Sequence, residues 1–350
     1  MQIVRSILVL AEGGFPPIAA EKQETMRKIL TKKNIITLIL TIALYAVLFG
    51  LVEGGVFSRH MKSLLVPIGI NIILAVSLNL TVGFLGELTL GHAGFMSVGA
   101  YVGCIFSATS GLPDYLSFFL GMIVGGLAAA VVGLVIGIPV LRLKGDYLAI
   151  VTLAFGEIIR SVMENLTVTG GASGYRGIPM LSDYTIVFIV VAITIFIIAN
   201  LVNSRHGRAI CSIRDNVIAA ESVGINVTYY KIFVFVIAAF FAGVAGVLYG
   251  HNLGILIPAR FDYNKSIEIL VIVVLGGMGS LKGSVIAATL ITLLPEVLRG
   301  ADNFRMLLYS IVLIVMMLLN ASPKFASFKA KLRWENLSAL FGRKKAVKQK

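Results

Sequence analysis

The sequence predicts an all-α fold: a polytopic transmembrane helix bundle of about ten spans (8–10), with both termini cytoplasmic. Three observations carry that expectation. Of the 350 residues, 58% are hydrophobic and 13% charged, and the mean hydropathy is +0.95. Several uninterrupted apolar runs approach the roughly 20 residues needed to cross a hydrocarbon core. They are continuous rather than alternating, which argues against a β-barrel. Finally, the ten-span arrangement puts 22 of the 30 Lys and Arg on the side of the termini and 8 on the other. That is the bias expected of cytoplasmic segments. Without the two tails the internal loops stand at 7 against 8, so the tails carry the orientation.

In chain order, residues 1–33 form a basic cytoplasmic N-terminus containing Gly13, Gly14, Pro16 and Pro17, and are expected to be disordered. The Ile7–Leu10 run is too short for a signal peptide. Two starts are compatible with the sequence, Met1 and Met26, the latter followed at once by Arg27 and Lys28. The transmembrane domain, 34–320, has expected spans at 35–52, 64–82, 88–108, 115–141, 147–163, 185–202, 232–249, 267–275, 285–298 and 306–319. The run at 267–275 is short for a full crossing, which leaves three alternatives: it tilts, extends back toward Tyr263, or enters only partway; the run at 285–298 is similarly short and is interrupted by Pro295. Residues 321–350 are a basic cytoplasmic tail.

Glycine is abundant, at 36 residues. Gly121, Gly125, Gly133 and Gly137 share a helical face, and Gly246 and Gly250 repeat the spacing. Small faces let helices approach where lipid gives no hydrophobic drive for association, so bundle packing is the reading adopted. A weak echo joins Leu85-Gly86…Gly94 to Leu275-Gly276…Gly283. The net charge of +13 sits in tails and loops beside spans. It reads as orientation and attraction to anionic membrane lipid, not as nucleic-acid binding. Cys104 and Cys211 are not expected to pair, and no Cys/His cluster has metal spacing.

The longest polar insert between two spans is the cytoplasmic loop 204–231. Within it, Asp215–Val223 reads as one short helix. Asp215 or Asn216 supplies its N-cap, Ile213, Val217 and Ala220 share a face, and Gly224 provides a left-handed stop. Such a helix suits docking to a partner, with small residues at Ala219 and Ala220.

This loop resembles the coupling loop of ATP-binding-cassette importer permeases, in the form used by branched-chain amino-acid permeases. The match runs through Arg214, Asp215 and Asn216, then Ala219, Ala220, Glu221 and Ser222, then Gly224, Ile225 and Asn226. The stretches beginning at Asn79, Arg142 and Gly170 resemble the same family in the same order, so the likeness covers about Asn71 to Leu319. It implies a permease subunit in the bacterial cytoplasmic (inner) membrane. The implied partners are ATPase subunits, a second related permease subunit and an extracytoplasmic substrate-binding protein. The dipeptide Gly-Lys is absent from the chain, so no P-loop is encoded. No cofactor is expected in this chain; ATP and Mg would be bound by the partner ATPase.

Four polar residues are candidates for a translocation path: Asn79, Glu87, Thr89 and His92. Ionisable groups at membrane depth face a cavity or a partner. The competing reading is that Glu87 and His92 satisfy backbone groups freed by Gly86 and Gly91. The family commonly carries Gln at the position of Glu87, and an acid there keeps an ion-coupled secondary transporter or channel as the rival reading. Glu157 and Arg160 are expected to form an internal ion pair. The loop containing Gly170, Gly171, Ser173 and Gly174 is expected outside, as a lid. Its Gly-Ala-Ser-Gly resembles the nucleophile motif of rhomboid proteases. However, Tyr-Arg-Gly-Ile-Pro follows, which cannot start a membrane helix, and His206 and His251 fall at opposite faces.

Overall fold

The computed structural model describes residues 59–143 and 145–297, with Gly50, Gly54, Ser310, Ile311 and Ile314. The expected spans at 35–52 and 306–319, the N-terminal lead and the basic tail lie almost wholly outside these residues. Among the described residues there are ten α-helices: α1 Arg59–Asn79, α2 His92–Thr109, α3 Asp114–Val140, α4 Asp146–Asn165, α5 Tyr184–Asn203, α6 Arg205–Asp215, α7 Val217–Ser222, α8 Val227–Leu253, α9 Tyr263–Gly276 and α10 Leu281–Val297. Four helical stretches among the described residues are long and apolar enough to cross a membrane: Met61–Leu85, Asp114–Val140, Tyr184–Asn203 and Val227–Leu253.

The stretch Met61–Leu85 is central. In its most apolar part 89% is buried within the protein, against 22% for α5, which therefore lies on the rim. α1 packs against α5, α8, α9 and α10. Its C-terminal end widens into a π-helical turn, Leu80–Leu85, and stops at Gly86, which is left-handed at φ 83°. Residues 86–91 are not helical, and α2 begins at His92. The span expected from 88 thus starts four residues later, while the preceding helix runs three residues past the expected end at 82.

α2, α3 and α8 meet backbone to backbone. A Cβ placed on Gly99 would lie 2.2 Å from the Cα of Gly243, and one on Gly125 would lie 2.5 Å from the carbonyl oxygen of Gly99. The glycine faces are therefore packing surfaces.

At the C-terminal end of α8 the loop 166–183 folds back on the bundle. Tyr175–Arg176 pairs antiparallel with Ile255–Leu256. Ser182 Oγ donates to Leu248 O at 2.9 Å, and His251 Nδ1 lies 2.7 Å from Pro179 O. Helix α8 has 27 residues, about 40 Å at 1.5 Å per residue. It separates this loop from the segment 204–226, which precedes its first turn.

The helix expected at 215–223 forms as α7, Val217–Ser222, capped by Asn216, which leaves helical geometry (φ −160°, ψ 107°); Asp215 instead ends a separate helix, α6, that was not expected. One further expectation is corrected. Pro295 does not interrupt its helix; it lies inside α10, near the end. The short run at 267–275 does extend back to Tyr263, where Asp262 accepts from Lys265 N.

Candidate functional site: the segment 204–231 and the central break

Ser204 caps α6 by accepting from Gly207 N, and the helix presents Gly207, Ile210 and Ile213 to the bundle. Asn216 caps α7, with its Oδ1 accepting from Ala219 N at 3.1 Å. Of the predicted coupling residues, Arg214 and Asp215 end α6; Ala219, Ala220, Glu221 and Ser222 lie on α7; Gly224 follows at φ 85°. Their faces divide. Ala220 is 2% exposed and turned into its own chain, so it is not available to a partner. Ala219, Glu221 and Ser222 are exposed. So are Ile218, at 80%, and Val223, at 75%, which the sequence reading missed. Ile218 stands on α7 and Val223 just past its C-terminal end.

The inner side of this segment reaches the break after α1. Arg214 Nη1 donates to Gly83 O at 3.2 Å, while Nε and Nη2 bind Asp215 Oδ1 at 3.0 and 2.9 Å. The arginine stem occupies the space beside Gly86: a Cβ there would meet Arg214 Cγ at 2.7 Å. Lys231, one turn into α8, bonds to Glu87. Both ends are largely dry, with the side chains 8% and 14% exposed. Lys231 was not singled out from the sequence. The signal was there, since Glu87 is the only acid between Glu53 and Asp114, and no Asp, Glu, Lys or Arg follows Lys231 until Arg260.

The other path candidates are held by specific partners. Asn79 is fully buried; its Nδ2 donates to Ser284 Oγ at 2.9 Å and its Oδ1 accepts from Gly279 N at 2.8 Å. His92 Nε2 lies 2.9 Å from Ser77 Oγ, which itself donates to Leu74 O. Thr89 is 3% exposed. The echo seen in the glycine pattern corresponds to two helix–break–helix corners, at Gly86 and at Gly277–Gly279. They meet at Gly83, where a Cβ would lie 2.2 Å from Gly279 N. Glu157 and Arg160 pair as expected at 2.8 Å, and Arg160 also reaches Glu164 at 2.9 Å. Glu157 Oε1 in addition accepts from Tyr263 N at 2.8 Å.

In the far loop, Gly171–Ser173 form one 3-10 turn between the left-handed Gly170 and Gly174. Ser173 is exposed. His251 is committed to Pro179, and His206 lies at the other end of α8, so the hydrolytic geometry is not assembled on Ser173. Among the described residues no group of three His, Cys, Asp or Glu could hold a metal ion.

A buried helix that ends in a π-helical turn and a left-handed glycine, within an apolar bundle that offers an exposed helical segment beside that end, is compatible with a solute permease. The chain belongs to the family described as "Branched-chain amino acid transport system / permease component", which matches residues 60–321. It is 35% identical over 284 residues to the high-affinity branched-chain amino acid transport system permease protein LivM of Salmonella typhimurium, covering 71% of this chain and 66% of that protein. It is 33% identical over 305 residues to LivM of Escherichia coli, covering 77% and 71%. A ribose import permease, RbsC of Haemophilus influenzae, is 26% identical over 321 residues, covering 83% and 93%. The chain thus matches about two thirds of the length of the LivM relatives. No solved structure matches it.

Proposed function

We propose that this chain is the membrane-spanning subunit of an ATP-driven importer for branched-chain amino acids in the bacterial cytoplasmic membrane. Family membership and the LivM relatives support the substrate class. The exposed face of α7 and the residue that follows it carry the mechanism: Ile218, Ala219, Ser222 and Val223 form a small, partly apolar surface. A partner ATPase seats on it, binds ATP and Mg, and moves it as it closes. A second, related permease subunit completes the path, and an extracytoplasmic binding protein delivers substrate at the opposite end, by the loop 166–183. Glu87, the acid on which an ion-coupled reading rests, is paired with Lys231.

The test is co-purification and uptake. The chain, tagged and expressed with its neighbouring genes, retains a stoichiometric ATPase and supports ATP-dependent uptake of labelled leucine in vesicles. Ile218→Asp and Val223→Asp lower ATPase retention at least tenfold with the permease still in the membrane. Purification without any ATPase, or leucine uptake that ignores ATP, overturns the reading.

A further inference from the structure

The segment from α6 to the first turn of α8 grips the central break at two points, one on each side of Gly86. Gly83 lies in the last turn of the π-helical end, where carbonyl groups lack helical partners. Its oxygen takes a hydrogen bond from Arg214. One residue beyond Gly86, Glu87 is held by Lys231. Arg214 is therefore not simply a surface cation. Asp215 orients its guanidinium through two bonds, leaving one arm for Gly83. It also precedes by two residues the kink at Asn216 that sets the direction of α7.

The second corner joins at the same place. A Cβ on Gly279 would stand 3.3 Å from Gly83 O and 3.5 Å from Arg214 Nη1. The Gly279 amide is tied to Asn79, one turn before Gly83. Arg214, two residues before the Asn216 cap of α7, is thus bonded to the first corner at Gly83, and Asn79 on the same helix end is bonded to the second corner at Gly279.

We propose that Arg214 and the Glu87–Lys231 pair form a two-point latch that sets the geometry of both helix breaks from the position of α7. On this inference Arg214 is a positioning residue acting on Gly83 and Gly279 and makes no essential contact with the ATPase. Glu87 serves the latch and not the path. The inference rests on the permease reading, and it assigns the transmission of movement inside the chain.

The test uses the full complex in proteoliposomes, with labelled leucine and ATP hydrolysis measured together. Arg214→Ala still co-purifies with the ATPase, but leucine moved per ATP hydrolysed falls at least tenfold. Arg214→Lys recovers part of that ratio, because an ammonium keeps the charge and loses the planar fork that serves Asp215 and Gly83 at once. Glu87→Lys and Lys231→Glu each lower the ratio, and the double exchange restores at least half of it. Rescue by exchange separates a latch from a path acid, whose loss a distant swap cannot repair. The inference falls if Arg214→Ala keeps the ratio within twofold. It also falls if Arg214→Ala sheds the ATPase as Ile218→Asp does, or if the double exchange is no better than the singles. A wild-type chain that retains no ATPase sinks the permease reading itself, and the latch with it.

Discussion

Asn79 and Gly279 are joined by a 2.8 Å hydrogen bond across 200 residues of sequence, from a fully buried amide side chain to the turn between α9 and α10. The other end of the same amide holds Ser284 Oγ on α10. Removing it leaves the partly buried Gly279 N–H without its acceptor, which costs about 1 kcal/mol. Asn79→Ala is therefore expected to lower the melting temperature of the detergent-purified protein by several degrees. An unchanged melting curve would show that the corner at Gly279 is held by other contacts.

The glycine contacts make a sharper prediction because they differ among themselves. Gly99→Ala drives a methyl group into the Gly243 backbone, and overpacking of this kind costs about 1–3 kcal/mol. Gly156→Ala is the control: its Cβ would meet only Gly91 Cα, at 3.6 Å, an ordinary contact. A helical alanine is favoured over glycine by about 1 kcal/mol. Membrane abundance and thermal stability should fall for the first and hold or rise for the second. Equal behaviour of the two would remove the backbone contact from the account of the bundle.

Sidedness follows from α8. A cysteine at Ser173, in the loop by its C-terminal end, and one at Glu221, on α7 before its N-terminal end, should label from opposite faces of the membrane. The background replaces Cys104 and Cys211. Equal labelling of both by an impermeant reagent from the outer face would overturn the orientation.

The far loop is anchored by a few identifiable bonds. Tyr101 Oη donates to Leu256 O at 3.1 Å, and His251, packed edge-on against Phe118 at 4.6 Å, binds Pro179 O. His251→Leu frees that carbonyl and weakens the anchor by about 1 kcal/mol. Hydrogen exchange across 166–183 should accelerate several-fold while exchange in α8 changes little. Acceleration spread evenly over both would mean that His251 stabilises the bundle as a whole.

Much of this architecture was legible in the chain, for reasons that also explain the gaps. Apolar runs mark α3, α5 and α8 closely because a membrane helix must satisfy its backbone internally and so stays continuous. They misplace the edges of the break around Gly86: the helix runs on past the expected end at 82 to Leu85, and the next starts at His92 rather than 88. Gly224 was legible because a left-handed end after a short polar helix favours glycine. The kink before α7 was half legible: Asn216 was read as one possible cap, but not as a residue that divides the segment into two helices. Ala220 was read as small enough for a partner's groove, whereas its size lets α7 lie against its own bundle. The Glu87–Lys231 contact links positions 144 apart, and only the two isolated opposite charges hinted at it.

α2, α3 and α8 touch backbone to backbone at Gly99, Gly125 and Gly243, and such contacts leave little room for one helix to slip past another. α2, α3 and α8 should therefore behave as a single rigid block during transport, and shape change belongs to the seams that α1 makes with α9 and α10, where Asn71, Asn79, Lys265, Ser284 and Thr292 exchange hydrogen bonds. Spin labels at the exposed Val102 and Leu127 would keep their separation through the nucleotide cycle, while a pair across α1 and α10 would not. The glycines that bring the three helices together would then also decide which part of the protein stands still.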